Sequence, residues 1–259
     1  MVLSQSDALV TGLGGRFEWL ESATSTNSLL LAKPDLPHFS VLATDNQIAG
    51  RGRAGRVWQA PAGASLAISV LLKPQLSSGN LNQLGWLPLL AGLAMSRTVA
   101  PLVEGKTGVK WPNDVLVSDR KISGVLSELL PDLSGLVIGA GLNIHLTEEQ
   151  LPVATATSLQ IEGAVQLATD YLLSSYLQNL HLLYSSFALA EFDANRSGLR
   201  AAVTANCLTL GRQVKAVMPG DSEIFGKAVA LDDDGRIVLE VDGKLVAVAA
   251  GDIVHMRHN

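Results

Sequence analysis

The chain has 259 residues, 47% of them hydrophobic and 17% charged, with a formal net charge of −5. This composition fits a globular protein with a substantial core and excludes a disordered chain. An acidic balance argues against a protein that coats nucleic acid, which needs a basic face. One cysteine, Cys207, rules out an internal disulfide framework and fits a reducing compartment, so cytoplasmic localisation is expected. No His/Cys pair stands at zinc-ligand spacing, and no metal-ligating set is assigned. Met1 to Gly15 lacks the basic and apolar regions of a signal peptide. The most apolar stretch, Leu84 to Leu102, carries Arg97 and two prolines, so it reads as a buried helix and not as a membrane span.

In chain order, Phe17 to Leu20 reads as a short strand. Ser22 to Asn27 (SATSTN) offers several N-caps before the apolar run Leu29–Leu31, so a helix starts near Thr26 or Asn27, and Pro34 and Pro37 end it. Capping is the plain role for Ser25 and Thr26. Ser40 to Thr44 is a strand that feeds a stretch unlike the rest of the chain, Thr44 to Trp58. There Gly50-Arg51-Gly52-Arg53-Ala54-Gly55-Arg56 alternates three glycines with three arginines over seven residues, and Trp58 follows. Glycines so close together hold neither a helix nor a central strand, but they let a backbone approach a ligand. Arginines spaced by two and three residues do not share one helical face. The chemistry indicated is a mobile cationic loop closing over a phosphate or carboxylate. A basic loop for nucleic acid and a solvated turn are the competing readings.

Leu66 to Leu72 is a nearly continuous apolar run between Gly63 and Pro74, hence a buried strand. Leu81 to Val103 is the first long helix. Val109 to Trp111 is a strand stopped by Pro112, and Asp114–Val117 with Ile122–Leu130 forms a hairpin pair. Gly135 to Ile144 is a strand rich in glycine, which implies a backbone or ligand pressed on one face. Ala164 to Leu189 has helical spacing, with a second helix through about Leu199. From Asn206 onward the texture changes: Val214–Met218, Glu223–Ala230, Gly235–Val241 and Lys244–Ala249 are short strands, with an Asp-Gly hairpin signal at Asp242-Gly243. A domain of residues 1–205 followed by a small antiparallel β-barrel over 206–259 is expected.

Four clusters sit where predicted strands end: Ser25-Thr26-Asn27, Gln47 through Trp58, Lys110 to Asp114 with Lys121 and Gly124, and Gly139 to Asn143. GRGRAGRVW, KWPNDVLV followed by DRKISGVLSE, and VIGAGLNI, in that order after STN, resemble the catalytic module of biotin–protein ligases over about Phe17 to Leu159, and the terminal barrel also fits. The resemblance implies an α+β fold with a mixed sheet related to class II aminoacyl-tRNA synthetases and an SH3-like β-barrel. It implies that ATP and biotin, with Mg²⁺, form biotinyl-5′-adenylate, and that a lysine of a biotin carboxyl carrier domain then takes the biotinyl group.

Under that resemblance Ser25, Thr26 and Gln47 form the polar set for the ureido ring, with Asn27 closing the same turn. Gly50, Arg51, Gly52 and Arg53 contact biotin and its adenylate. Lys121 is the point charge on the biotin carboxylate, and Gly124 and Gly139 let strands approach the bicyclic ring. Arg53 and Lys121 are the catalytic candidates. Arg56, Lys110, Asn113 and Asn143 match positions near the ATP phosphates and ribose, and Trp58 is placed to stack on adenine, whereas Trp111 reads as a core aromatic.

The first catalytic strand begins near Phe17, so the resemblance is to the monofunctional type, with no winged-helix domain and no operator binding expected. The segment Gly251 to Arg257 departs from the family pattern by about one residue, and no ligand role is assigned to Arg257. The competing functions are a lipoate or octanoate ligase of the same superfamily, a nucleic-acid-binding regulator, and a biotin binder without turnover. The sheet edge beside Val137 suits either a second copy, giving a homodimer, or the carrier domain.

Overall fold

The computed structural model describes residues 2–75, 78–218, 220, 222–249 and 251–256. In chain order its elements are α1 (Ser4–Gly12), β1 (Phe17–Trp19), α2 (Thr26–Leu31), β2 (Val41–Thr44), β3 (Gly50–Arg51), β4 (Val57–Trp58), β5 (Ser65–Leu72), α3 (Trp86–Val99), β6 (Thr107–Lys110), β7 (Asp114–Val117), β8 (Arg120–Leu129), β9 (Leu136–Asn143), α4 (Thr169–Leu189), α5 (Leu199–Asn206), β10 (Gln213–Val217), β11 (Glu223–Leu231), β12 (Ile237–Val241), β13 (Lys244–Val248) and β14 (Asp252–His255).

A seven-stranded sheet runs β1-β2-β5-β9-β8-β7-β6. β1 pairs parallel to β2 and every other neighbour pair is antiparallel, which makes the sheet mixed. All eight residues of β5 are buried, which explains its unbroken apolar run: both faces are covered. α3 is buried almost all round, as an apolar helix without a polar face must be, and it packs on α4 and on the sheet.

Four elements differ from the sequence-based expectation, two of them beside contacts distant in sequence and two through local backbone turns or short-range pairing. α1 lies in a segment too polar to read as a core helix. Its first amides are satisfied by a residue of α4, since Gln5 N and Ser6 N donate to the Asp170 carboxylate at 2.9 and 3.0 Å. α3 begins at Trp86 and not at Leu81, after a 3₁₀ stretch over Ser78–Gly85. Gly85 presses on Asp234, where an added Cβ would stand 2.6 Å from the carbonyl oxygen. α5 begins at Leu199, where a helix was expected to end, because positive-φ residues at Glu191, Phe192 and Gly198 turn the chain first. The stretch from Gly50 to Trp58 is not only a loop: Gly50 pairs with Trp58 and Arg51 with Val57, forming a two-stranded ribbon.

The C-terminal strands form a five-stranded antiparallel sheet, β13-β12-β11-β10-β14, that includes the unanticipated β14. Among the described residues β13 and β14 are unpaired edges, so the expected closed barrel is not seen. Its buried residues, including Val214, Ala228, Ile237 and Leu239, join the same hydrophobic core as α3, so the sheet covers its apolar face without closing on itself. Two indole donors fasten the β11–β12 turn to the larger unit: Trp86 Nε1 to Asp233 O at 2.8 Å and Trp111 Nε1 to Gly235 O at 2.9 Å. Trp111 is therefore the core aromatic expected from the sequence. Arg257 lies outside the described residues.

Candidate active site

A cleft of about 1130 Å³ opens between the large sheet, the N-terminus of α2, the β3–β4 ribbon and the edge of the C-terminal sheet. It gathers members of all four clusters. Gly50, whose space is closed by Gln47 and Trp58, lies beside it in the ribbon.

One half of the cleft is a neutral, buried network. Ser25 caps α2, its Oγ accepting from Ser28 N at 3.4 Å, which is the plain role expected for it. Thr26 N donates to Gln47 Oε1 at 2.9 Å, and Thr26 Oγ1 lies 3.2 Å from the same oxygen. Ser69 on β5 donates to Asn27 Oδ1 at 2.6 Å, with Thr26 Oγ1 2.8 Å away on its other side. The Asn27 amide in turn donates to Leu126 O at 3.1 Å and to Glu128 Oε2 at 2.9 Å. Ser25, Thr26, Asn27 and Ser69 are all buried, so their internal bonds remove the cost of desolvating them. Gly139 is required here because an added Cβ would collide with Asn27 Oδ1.

The other half is cationic, and each of its cations has an oxygen partner or an acidic neighbour. Lys121 Nζ lies 2.6 Å from Asp114 Oδ1, and 5.8 Å from the centroid of the Trp58 ring. A regular strand would place Lys121 and Gly124 on opposite faces. A register shift in the β7–β8 pairing puts them on the same one, with Lys121 Cε and Nζ 3.1 Å from where a Gly124 Cβ would be. The Trp58 indole lies over Gly141, where an added Cβ would be 2.5 Å from Cε2.

In the ribbon, Arg51 Nη2 pairs with Glu128 Oε2 at 2.9 Å. Arg53 donates to Asn113 Oδ1 at 3.1 Å and to Gly251 O at 3.2 Å. Gly52 N bonds Arg56 O at 2.7 Å, which tightens the ribbon, and Arg56 makes a two-pronged pair with Asp252 at 2.6 and 2.8 Å. Burial pulls the Arg53 guanidinium and the Lys110 ammonium below their ordinary ranges, with Asp252 and Asp114 acting in the opposite direction on each. The Asn113 amide donates to Val125 O at 2.7 Å, and the Asn143 amide to Thr157 O at 2.9 Å, so both side chains are oriented by backbone.

Five residues on or beside the cleft were not found in the sequence: Ser69, Glu128, Arg212, Asp252 and His255. Ser69 left one signal, a lone polar residue near the middle of the apolar run of β5. The others are brought in by the C-terminal sheet or by the far end of β8. His255 Nε2 lies 3.2 Å from Thr209 Oγ1 and Nδ1 3.2 Å from Arg212 Nη1, while Arg212 pairs with Asp119 at 2.7 Å. Burial, reinforced by Lys110 and Arg212, pushes the His255 pKa down to about 4.

A hydrogen-bonding set of neutral side chains beside a cluster of partnered cations can take polar neutral groups on one side of the cleft and anionic groups on the other. Comparison with known proteins gives this arrangement a family. Residues 19–143 match the model of the biotin/lipoate A/B protein ligase family, and residues 209–256 match that of the biotin protein ligase C-terminal domain.

The biotin–[acetyl-CoA-carboxylase] ligase of Mycobacterium tuberculosis is 37% identical over 90% of this chain and 86% of its own length. The bifunctional ligase/repressor BirA of Escherichia coli is 32% identical over 93% of this chain and 74% of its own. Among solved structures, the biotin protein ligase of Aquifex aeolicus in complex with biotin and ATP superposes with a TM-score of 0.77 at 29% identity, over 93% of this chain and 99% of that one. The chain belongs to the biotin/lipoate A/B protein ligase family.

Proposed function

We propose that this chain is a biotin–protein ligase, an ATP-dependent enzyme that activates biotin as biotinyl-5′-AMP and transfers it to a lysine of a biotin carboxyl carrier protein. The observation that carries this reading is the single cleft in which the Thr26–Gln47 set and the Arg53, Lys110 and Lys121 cations lie side by side. The neutral set takes the ureido ring by exchanging its internal hydrogen bonds for ligand ones. Gln47 and Thr26 are the donors and acceptors available for that.

In the first step a biotin carboxylate oxygen attacks the α-phosphorus of ATP. The new O–P bond forms as the bond to the β-phosphate oxygen breaks, and pyrophosphate leaves with the electron pair. Both reactants are anions. Lys121 exchanges Asp114 for the carboxylate, and Arg53 supplies charge to the α-phosphate, so the cations neutralise what would otherwise repel. Lys110, Asn113, Arg56 and Asn143 flank the phosphates and ribose, and Trp58 stacks on adenine.

The site fits Mg²⁺ carried on the nucleotide. Asp114 faces Lys110 and Lys121, and an ion that binds through one or two carboxylates, waters and substrate phosphates needs no cage of protein ligands. When bound it supplies charge neutralisation on the triphosphate.

In the second step the neutral amine of the acceptor lysine attacks the biotinyl carbonyl carbon. An amide bond forms, AMP departs with the C–O electrons, and the amine loses its proton. Until then the β3–β4 ribbon keeps water off the mixed anhydride.

Residues 1–205 act as the catalytic domain and residues 206–259 as the domain that closes the nucleotide side. We also propose that the reaction runs in the cytoplasm without nucleic acid, a reading supported by the single cysteine and the acidic net charge. No helix among the described residues is long and apolar enough to cross a membrane. The sheet edge expected beside Val137 is absent: β9 lies between β5 and β8, and Val137 is buried and paired with Leu71 and Glu128, so this strand offers an edge to neither a second copy nor the carrier domain.

Exchange of labelled pyrophosphate into ATP tests the function. Exchange dependent on biotin, and not supported by lipoate or octanoate, is the expected result. Exchange supported by lipoate alone would select the rival ligase activity, and no exchange with any of them would leave only a binder.

A further inference from the structure

The two polar anchors of the β3–β4 ribbon belong to one closed circuit of hydrogen bonds. It begins at Gln47, just before the ribbon, and passes through Thr26, Ser69 and Asn27 to Glu128. From Glu128 it returns to the ribbon at Arg51, four residues after its starting point. Glu128 is the turning point. One carboxylate oxygen accepts from both Asn27 Nδ2 and Arg51 Nη2, each at 2.9 Å. Asn27 is held firmly, because it is buried and its remaining polar groups are bonded to Leu126 O and Ser69. Arg51 belongs to the ribbon, and nearly half of its side chain is exposed.

We infer that Glu128 is a positioning residue for the ligase reaction: it transmits the order of the buried ring-binding set to the ribbon and holds Arg51, and with it the cover over the adenylate, in the closed position. This rests on the biotin-ligase reading. Glu128 does not meet the reacting atoms. It acts through Arg51, and the carboxylate is required because a single acceptor must satisfy a buried amide and a guanidinium at once.

The test is a double-mutant cycle of Glu128→Gln and Arg51→Gln, read by release of biotinyl-adenylate from the enzyme and by the biotin KM and kcat of pyrophosphate exchange. Glu128→Gln keeps an acceptor for Asn27 and loses the charge that holds Arg51. It is expected to speed adenylate release and raise the biotin KM roughly tenfold, the scale of one lost charge-assisted hydrogen bond, while kcat at saturating biotin stays within about twofold. Arg51→Gln, at an exposed position, is expected to give the same leak, and the double variant to be no worse than either single one.

An active wild type whose adenylate release is unchanged by Glu128→Gln would overturn the assignment, and so would effects of the two substitutions that multiply. If Glu128→Gln fails to fold, Glu128→Asp, which keeps the charge but draws it back from Arg51 by one methylene, decides instead, and adenylate retention equal to the wild type overturns the assignment. A wild type without biotin-dependent exchange would instead overturn the ligase reading on which the assignment rests.

Discussion

The two halves of the cleft solve opposite problems. The Thr26–Gln47–Ser69–Asn27 half is neutral and internally hydrogen-bonded, with Gln47 half-buried and the other three buried, so its geometry is largely fixed by the core. The Arg53–Lys110–Lys121–Arg56 half is charged and partly exposed. Lys121 and Arg56 are each matched to a carboxylate that an incoming anion can replace. In the proposed reaction, rigidity on one side supplies selection and exchangeable ion pairs on the other supply chemistry: the exposed Arg56–Asp252 pair is surrendered at small cost, whereas the better-covered Lys121–Asp114 pair yields only to another anion that restores its charge partner.

The sharpest way to break that division is on the charged side. Lys121→Ala is expected to lower biotin-dependent pyrophosphate exchange by about 10²–10³-fold, the scale of a lost electrostatic contact to developing charge, with the melting temperature little changed. A comparable loss of stability would instead make Lys121 a structural residue.

The neutral side should respond in the reverse sense. Gly139→Ala forces a methyl group into Asn27 and is expected to cost about 1–3 kcal/mol of stability, the usual scale of overpacking. Biotin affinity, measured by calorimetry, should fall with it. Ordinary stability with unchanged affinity would show that Asn27 yields and that this half is softer than its hydrogen bonds imply.

Asp252→Ala removes the partner of Arg56 at the seam between the ribbon and the C-terminal sheet. Both side chains are substantially exposed, so unfolding should shift by less than about 1 kcal/mol. Adenylate should be released a few-fold faster.

The smallest effect is a pH dependence. Burial, with Lys110 and Arg212 nearby, pushes the His255 pKa down from the ordinary 6.5 to about 4 in the folded chain. The unfolded state takes up the proton first, so this residue's contribution to stability is complete above about pH 6.5 and is lost as pH falls toward 4. Burial lowers His38 and His181 as well, so His255→Asn should flatten only part of the acid-side decline in a denaturation series.

Much of this was legible in the sequence because it is carried by local signals. The apolar run of β5, the hairpin of β7 and β8, the cap at Ser25 and the Asp242-Gly243 turn each depend on neighbours within a few residues. Three of the site clusters were readable because glycine, arginine and lysine stand out where strands end, whereas Ser25-Thr26-Asn27 read as a helix cap and joined the site only through the family resemblance. What escaped is set by distance in sequence. α1 takes its cap from Asp170, over 160 residues away. Lys121 reaches the face of Gly124 only through an irregular pairing that no periodicity reveals. Asp252 and Glu128 matter only because the fold brings Arg56 and Arg51 to them. The absence of a closed barrel belongs to the same class, since the buried residues of the C-terminal sheet join the core of the larger unit.

The most direct test of the whole account is a crystal structure with a non-hydrolysable biotinyl-adenylate analogue. The account predicts the bicyclic ring on Thr26 and Gln47, and the acyl–phosphate junction between Arg53 and Lys121, with Asp114 released from Lys121. Analogue bound elsewhere in the cleft, with the Lys121–Asp114 pair intact, would contradict it.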